Sequence, residues 1–122
     1  MTLQELYQKI DGDYDQVMRI LRMEKLVDKH IRKFANNGVV DKLLAAGEKK
    51  DPTEMFEAAH AMKGVCGNLG LKDLCDIASE LSEEYRPGNP RKLSDDEVDE
   101  MLAATATKYQ KAKAGIDLYA AQ

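Results

Sequence analysis

Apolar residues recur along most of the chain at the three- and four-residue spacing of an α-helix. No window alternates convincingly between apolar and polar residues with the period of two that is typical of a strand. The helical pattern covers seven segments, at residues 2–10, 14–22, 24–35, 39–47, 52–67, 71–85 and 94–118. The chain is therefore predicted to be all-α.

Capping residues and helix breakers mark the limits of these segments. The sequence Asp-Pro-Thr-Glu at 51–54 is a strong start signal, with Asp51 as the N-cap and Pro52 at the first helical position. Ser94 and Glu97 form a second start signal, a capping box. The sequence Asn-Asn-Gly at 36–38 is predicted to break or kink the chain before the helical pattern resumes.

Substantial helices joined by short loops favour an antiparallel four-helix bundle. The interrupted segment 24–46 is expected to be its first member. Residues 1–22 are expected to pack as short extra helices over one end, and residues 23–118 to form the bundle. At 122 residues, 43% hydrophobic and 33% charged, the whole chain fits one domain with one core.

His60 is the best-placed candidate for chemistry. Around the helix that begins at Pro52, a wheel drawn at about 100° per residue puts His60 nearly opposite the apolar arc. That arc contains Met55, Phe56, Ala59, Met62, Cys66 and Leu69. The neighbours of His60 on its own face are Lys63, Gly64 and Gly67. His60 is therefore predicted to be exposed on a surface with few side chains around it.

This combination of residues suits phosphoryl chemistry. A glycine in a helix interior costs about 1 kcal/mol relative to alanine, so Gly64 and Gly67 indicate that something needs close access to the backbone beside His60. Neutral imidazole is a nucleophile near pH 7. An ammonium group one turn away disfavours the imidazolium and attracts a phosphoryl group. Lys63 can have both effects.

The local sequence resembles the motif of the histidine phosphotransfer (HPt) domain. The pattern is Ala-His, any residue, a hydrophobic residue, Lys-Gly, and then Gly-Asn-Leu-Gly. The matching residues are Ala59, His60, Met62, Lys63, Gly64, Gly67, Asn68, Leu69 and Gly70. The motif covers residues 59–71, and the predicted architecture is similar to that of the family over about residues 20–118.

The resemblance implies a role for each matching residue. His60 would be the phosphoacceptor, Lys63 would stabilise the phosphoryl group, and Gly64, with Gly67, would leave room for a partner to dock. Some relatives carry a polar or basic residue near the histidine on the next helix, where ungapped counting reaches Ser82 and Arg86. Arg86 lies close to the predicted end of that helix, and neither residue is included in the predicted site.

The family's role also implies the partners. Phosphoryl groups would pass from an aspartate of a response-regulator receiver domain to His60 and on to another receiver, with a hybrid histidine kinase upstream. The protein would be a phosphoryl carrier and not an enzyme. It would need no metal and no cofactor of its own, because Mg²⁺ is expected on the partner receiver domain.

Composition narrows the setting further. The net charge is −4, from 18 basic and 22 acidic residues without a basic block, so neither nucleic acid nor a membrane is an expected partner. The N-terminal residues have no apolar signal core, and the cytoplasm is the expected compartment. There Cys66 and Cys75 are expected to be buried thiols. A monomer is expected, since a dimer could cover His60.

Other interpretations stay open or fail. A small helical adaptor, with His60 as a surface accident, is the main alternative, and an enzyme with its own active site has little support. The series Asp11, Asp13, Asp15 begins like a calcium loop, but Gln16 stands where the loop needs glycine and Arg22 where it needs glutamate. The remaining histidine, His30, lies where its charged form would suit a helix dipole. A metal site built from His30, His60 and the two cysteines would need faces that the helices do not bring together.

Overall fold

The structure is a computed structural model that describes residues 1–122, and it contains seven α-helices and no strand. The helices are α1 (Leu3–Lys9), α2 (Tyr14–Leu21), α3 (Glu24–Phe34), α4 (Val39–Lys49), α5 (Pro52–Asn68), α6 (Lys72–Tyr85) and α7 (Asp95–Ala120). The prediction of an all-α chain is confirmed.

The predicted start signals act as expected. The Asp51 carboxylate accepts a hydrogen bond from the backbone N–H of Glu54 at 3.0 Å, and Pro52 begins α5. At α7 the Ser94 hydroxyl accepts from the N–H of Glu97 at 3.1 Å, while the Glu97 carboxylate accepts from the N–H of Ser94 at 3.0 Å. These bonds satisfy backbone donors that have no partner inside the helix.

Helices α3 and α4 together run antiparallel to the long helix α7. Near the start of α3, Asp28 accepts a hydrogen bond from Tyr119 at 2.5 Å. Just after α3, the carbonyl of Ala35 accepts from the Tyr109 hydroxyl at 3.1 Å. After α4, Lys50 pairs with Asp99 at 2.7 Å. The interrupted segment is therefore one member of the bundle, as predicted, and it bends at Gly38, which has a φ of 75°.

The other sides of the bundle follow from the short connections. Helix α5 packs on α4 and on α6, and α6 packs on α7. A core of 28 buried hydrophobic residues lies between these helices and the N-terminal ones. Burial of these side chains is the main favourable contribution to folding. The predicted antiparallel four-helix bundle is confirmed.

The two short N-terminal helices cover the end of the bundle where α5 turns into α6. The Tyr7 hydroxyl, on a fully buried side chain, donates to the carbonyl of Leu69 at 2.7 Å. The N–H of Asp13 donates to the carbonyl of Gly70 at 2.8 Å. Helix α3 contacts both α2 and α7, so cap and bundle are continuous. The division into residues 1–22 and 23–118 within one domain stays a prediction.

Candidate functional site

His60 lies exposed in the middle of α5. The opposite face of this helix is buried through Met55, Ala59, Met62 and Cys66. This burial fixes the rotation of α5, because turning the helix would expose four core side chains. The imidazole therefore projects from a rigid helix toward solvent.

Phe56 is the nearest support of the His60 ring. The two rings are stacked, with centroids 5.6 Å apart and planes inclined by 20°. The sequence places Phe56 in the core arc, but the side chain is only half-buried and lies at the edge of that arc. The spacing of four residues could have indicated this contact, since such residues are neighbours on a helix surface.

Lys63 lies half-buried on α5, one turn beyond His60. Its ammonium forms none of the close ion pairs of the structure. Its charge nevertheless interacts with the Glu83 carboxylate on α6. The pKa of the Glu83 carboxyl is lowered, chiefly by a hydrogen bond from Arg86 and further by the charge of Arg86 and then of Lys63. A cation without a close partner thus stands beside the exposed imidazole.

The two glycines near His60 have different surroundings. A Cβ atom at Gly64 would meet nothing within 4 Å, so the helix surface is open there. At Gly67 a Cβ atom would lie 3.4 Å from the Sγ atom of Cys75 on α6. The space at Gly67 is therefore bounded by the neighbouring helix, and its small size serves the contact between α5 and α6. The expected docking roles of both glycines stay predictions.

The comparison with protein families decides what kind of domain this is. A family model described as the Hpt domain matches residues 2–108. The chain belongs to the Hpt domain family. Its role is histidine phosphotransfer in phosphorelays, and the family implies an interaction with the receiver domains of response regulators. No curated protein and no solved structure matches the chain.

In this Hpt domain, Arg86 lies closer to the candidate site than its place at a helix end suggests. It is the C-cap residue of α6, and its guanidinium carbon lies 5.6 Å from the centre of the Phe56 ring. Phe56 thus contacts both His60 and Arg86. Ser82 is buried, and its hydroxyl has no hydrogen-bond partner. Arg86 therefore reaches the site through Phe56, whereas Ser82 is enclosed by the packing around α6.

The other candidates from the sequence are dispersed over the Hpt domain. Asp11 pairs with Lys111 at 2.6 Å, and Asp13 caps α2 by accepting a bond from the N–H of Gln16. His30 is exposed on α3. Nowhere do three or more His, Cys, Asp or Glu side chains come together in a way that could hold a metal ion. None of the seven helices has both the length and the apolar character that a membrane crossing requires.

Proposed function

We propose that this Hpt domain carries phosphoryl groups between receiver domains on His60. The observation that carries the proposal is the exposed imidazole with a cation one turn away and open helix surface at Gly64. A family role in histidine phosphotransfer requires an accessible histidine, and the only other one, His30, has no glycine among the residues that follow it on α3.

The covalent step itself uses only the imidazole of the carrier. A lone pair on the unprotonated ring nitrogen of His60 attacks the phosphorus of the receiver's aspartyl phosphate. The new P–N bond forms as the P–O bond to the aspartate breaks, and the electron pair of that bond returns to the aspartate carboxylate. The other ring nitrogen keeps its hydrogen, so the ring carries a positive charge. The reverse sequence on a second receiver returns the ring to its neutral form.

The neighbours of His60 compensate charge, orient the ring and leave space for the partner. The Lys63 ammonium offsets the charge of the phosphoryl group, because charge-assisted contacts to phosphate are among the stronger hydrogen bonds. Phe56 restricts the orientation of the ring by stacking on it. Gly64 leaves room for the receiver backbone to approach. Gly67 contributes to the same clearance only where α6 leaves space.

The rest of the machinery comes from the partners. The carrier acts without a catalytic site, metal or cofactor of its own, and Mg²⁺ belongs to the receiver. A hybrid histidine kinase supplies the phosphoryl group upstream. The domain works as a monomer, since a second copy over α5 would cover His60. Its net charge of −4 disfavours nucleic acid and membrane partners. Two free cysteines fit a reducing compartment, which supports a cytoplasmic location.

Intact mass measurement tests the proposal. Wild type, His60→Gln and His30→Gln are incubated with a phosphorylated receiver domain, and the intact mass of each protein is then measured. We expect one added phosphoryl group in wild type and His30→Gln, none in His60→Gln, and loss of the group on acid treatment. A small phosphoramidate donor serves as the second source. No gain from any receiver or from the small donor would overturn the proposal and leave a helical adaptor.

A further inference from the structure

Glu83 binds Arg86, whose guanidinium lies against the Phe56 ring that stacks on His60. Glu83 lies exposed in the last turn of α6, and its Oε1 atom accepts hydrogen bonds from Nη2 and Nε of Arg86 at 2.7 and 3.1 Å. Asn89 donates to the Glu83 carbonyl at 3.0 Å and to its Oε2 atom at 3.5 Å. The carboxylate is therefore anchored to the loop that follows α6.

Helix α5 packs on α6, and Lys63 on α5 lies within electrostatic reach of the same carboxylate. Lys63 is among the groups whose charge stabilises the ionised form of Glu83. Arg86 therefore binds this carboxylate directly, whereas Lys63 acts on it only through its charge. Arg86 in addition rests against the ring of Phe56, which stacks on His60. His60, Phe56, Arg86 and Lys63, to which Glu83 is the neighbouring anion, are here named the His60 cluster.

The geometry of the Arg86–Glu83 pair would allow another anion to replace the Glu83 carboxylate as the partner of Arg86. Both guanidinium donors go to a single oxygen, so the pair lacks the two-oxygen fork that makes arginine–carboxylate pairs strong. Exposed pairs of this kind contribute little to stability, so another anion can replace the carboxylate. A phosphoryl group brings about two negative charges and three acceptor oxygens, and arginine binds such groups in a forked geometry.

We propose that Glu83 is the resting counter-ion of the His60 cluster, a positioning residue that holds Arg86 beside Phe56 and yields it to the phosphoryl group when His60 is phosphorylated. The inference rests on the proposed function and deepens it. The carboxylate stays close to the phosphoryl group after the exchange and repels it. Glu83 thereby keeps the phosphohistidine from becoming too stable and favours onward transfer to a receiver.

The partition of the phosphoryl group at equilibrium tests this role. A phosphorylated receiver is equilibrated with wild type, Glu83→Gln, Arg86→Gln and the double variant, and intact mass gives the ratio of phosphorylated carrier to phosphorylated receiver. We expect Glu83→Gln to shift the ratio toward the carrier about two- to fivefold. Arg86→Gln should shift it toward the receiver, and the effect of Glu83→Gln should shrink in the double variant, since the two residues interact.

A matched control separates this effect from a change of net charge. Glu100 is exposed on α7, which packs on α4 and α6, and it makes no ion pair. Glu100→Gln should leave the ratio unchanged. Circular dichroism should show that all variants keep their helices.

The outcomes also separate the two proposals. A wild type that accepts no phosphoryl group overturns the proposed function and this inference with it. A wild type that accepts the group while Glu83→Gln moves the ratio no more than Glu100→Gln overturns the inference alone. A shift of Glu83→Gln in the direction of Arg86→Gln would overturn it as well, since Glu83 would then support the phosphohistidine through Arg86.

Discussion

The imidazole of His60 is stacked on the phenyl ring of Phe56, with 5.6 Å between the ring centroids. Phe56 is half-buried at the edge of the core, whereas His60 is exposed. Phe56, which packs at the edge of the core, thus restrains the exposed imidazole of His60. Under the proposed function, the nucleophile is oriented by its own helix before a partner arrives, which would reduce the entropy lost in the transfer step.

Removal of this ring should slow transfer without unfolding the domain. Phe56→Leu keeps an apolar side chain at the edge of the core but removes the stack, which is worth about 0.5–1.5 kcal/mol in aromatic pairs. We expect the rate of phosphoryl transfer from a receiver to fall about two- to tenfold, as measured by rapid quenching. Phe56→Tyr preserves the stack and should keep the wild-type rate. Equal rates in Phe56→Leu and Phe56→Tyr would show that the stack does not orient His60.

Gly64 should lower the stability of the domain while keeping the helix surface beside His60 open. A Cβ atom meets nothing there, so Gly64→Ala should raise the free energy of unfolding by about 0.5–1 kcal/mol, measured by urea denaturation. The gain at Gly67→Ala should be smaller, because its Cβ atom meets Cys75.

A larger side chain at the same position tests docking. Gly64→Gln should accept phosphoryl groups from a small phosphoramidate donor at the wild-type rate but accept them poorly from a receiver domain. If both donors lose activity equally, the glycine serves the imidazole itself and not the approach of the partner.

Gly70 should be essential for the attachment of the N-terminal helices. Its φ is +68°, and a Cβ atom would lie 2.5 Å from the carbonyl oxygen of Asp13. Gly70→Ala should therefore lower the free energy of unfolding by about 2–5 kcal/mol, from the left-handed backbone and from the clash. Gly38→Ala is the matched control, since Gly38 has a φ of +75° but open space, and it should cost about 1–2 kcal/mol. Similar losses in both variants would contradict a role for the contact with Asp13.

Glu84 should make stability depend on pH. Its side chain is 4% exposed and accepts hydrogen bonds from Arg91 at 2.6 Å and from the N–H groups of Leu93 and Lys92. Burial alone would raise the pKa of this carboxyl, but these donors outweigh it and leave the pKa below its ordinary value of 4.5. The stabilisation is therefore complete above that value and is lost as the pH falls through the lowered pKa.

The corresponding variant is Glu84→Gln. We expect its free energy of unfolding to be about 1–3 kcal/mol lower than that of wild type at neutral pH. The difference from wild type should shrink at acid pH. Thermal unfolding followed by circular dichroism from pH 7 to pH 3 measures both. A difference that does not change with pH would mean that shape, and not charge, makes Glu84 important to the loop before α7.

The sequence by itself determined the helices, their starts and the face on which His60 lies. These features depend on residues within about one turn of each other: the cap at Asp51, the capping box at Ser94 and the apolar period of α5. The break at residues 36–38 was also local, since Gly38 is the one residue of that stretch with a positive φ. The motif around His60 then indicated the family.

Only the tertiary structure decided which groups surround the candidate site. Gly64 and Gly67 look alike in the sequence, but α6 passes beside one of them and not the other. The approach of Arg86, at the end of α6, to Phe56 on α5 depends on how the two helices cross. Such contacts are set by packing between distant segments, which no local spacing encodes.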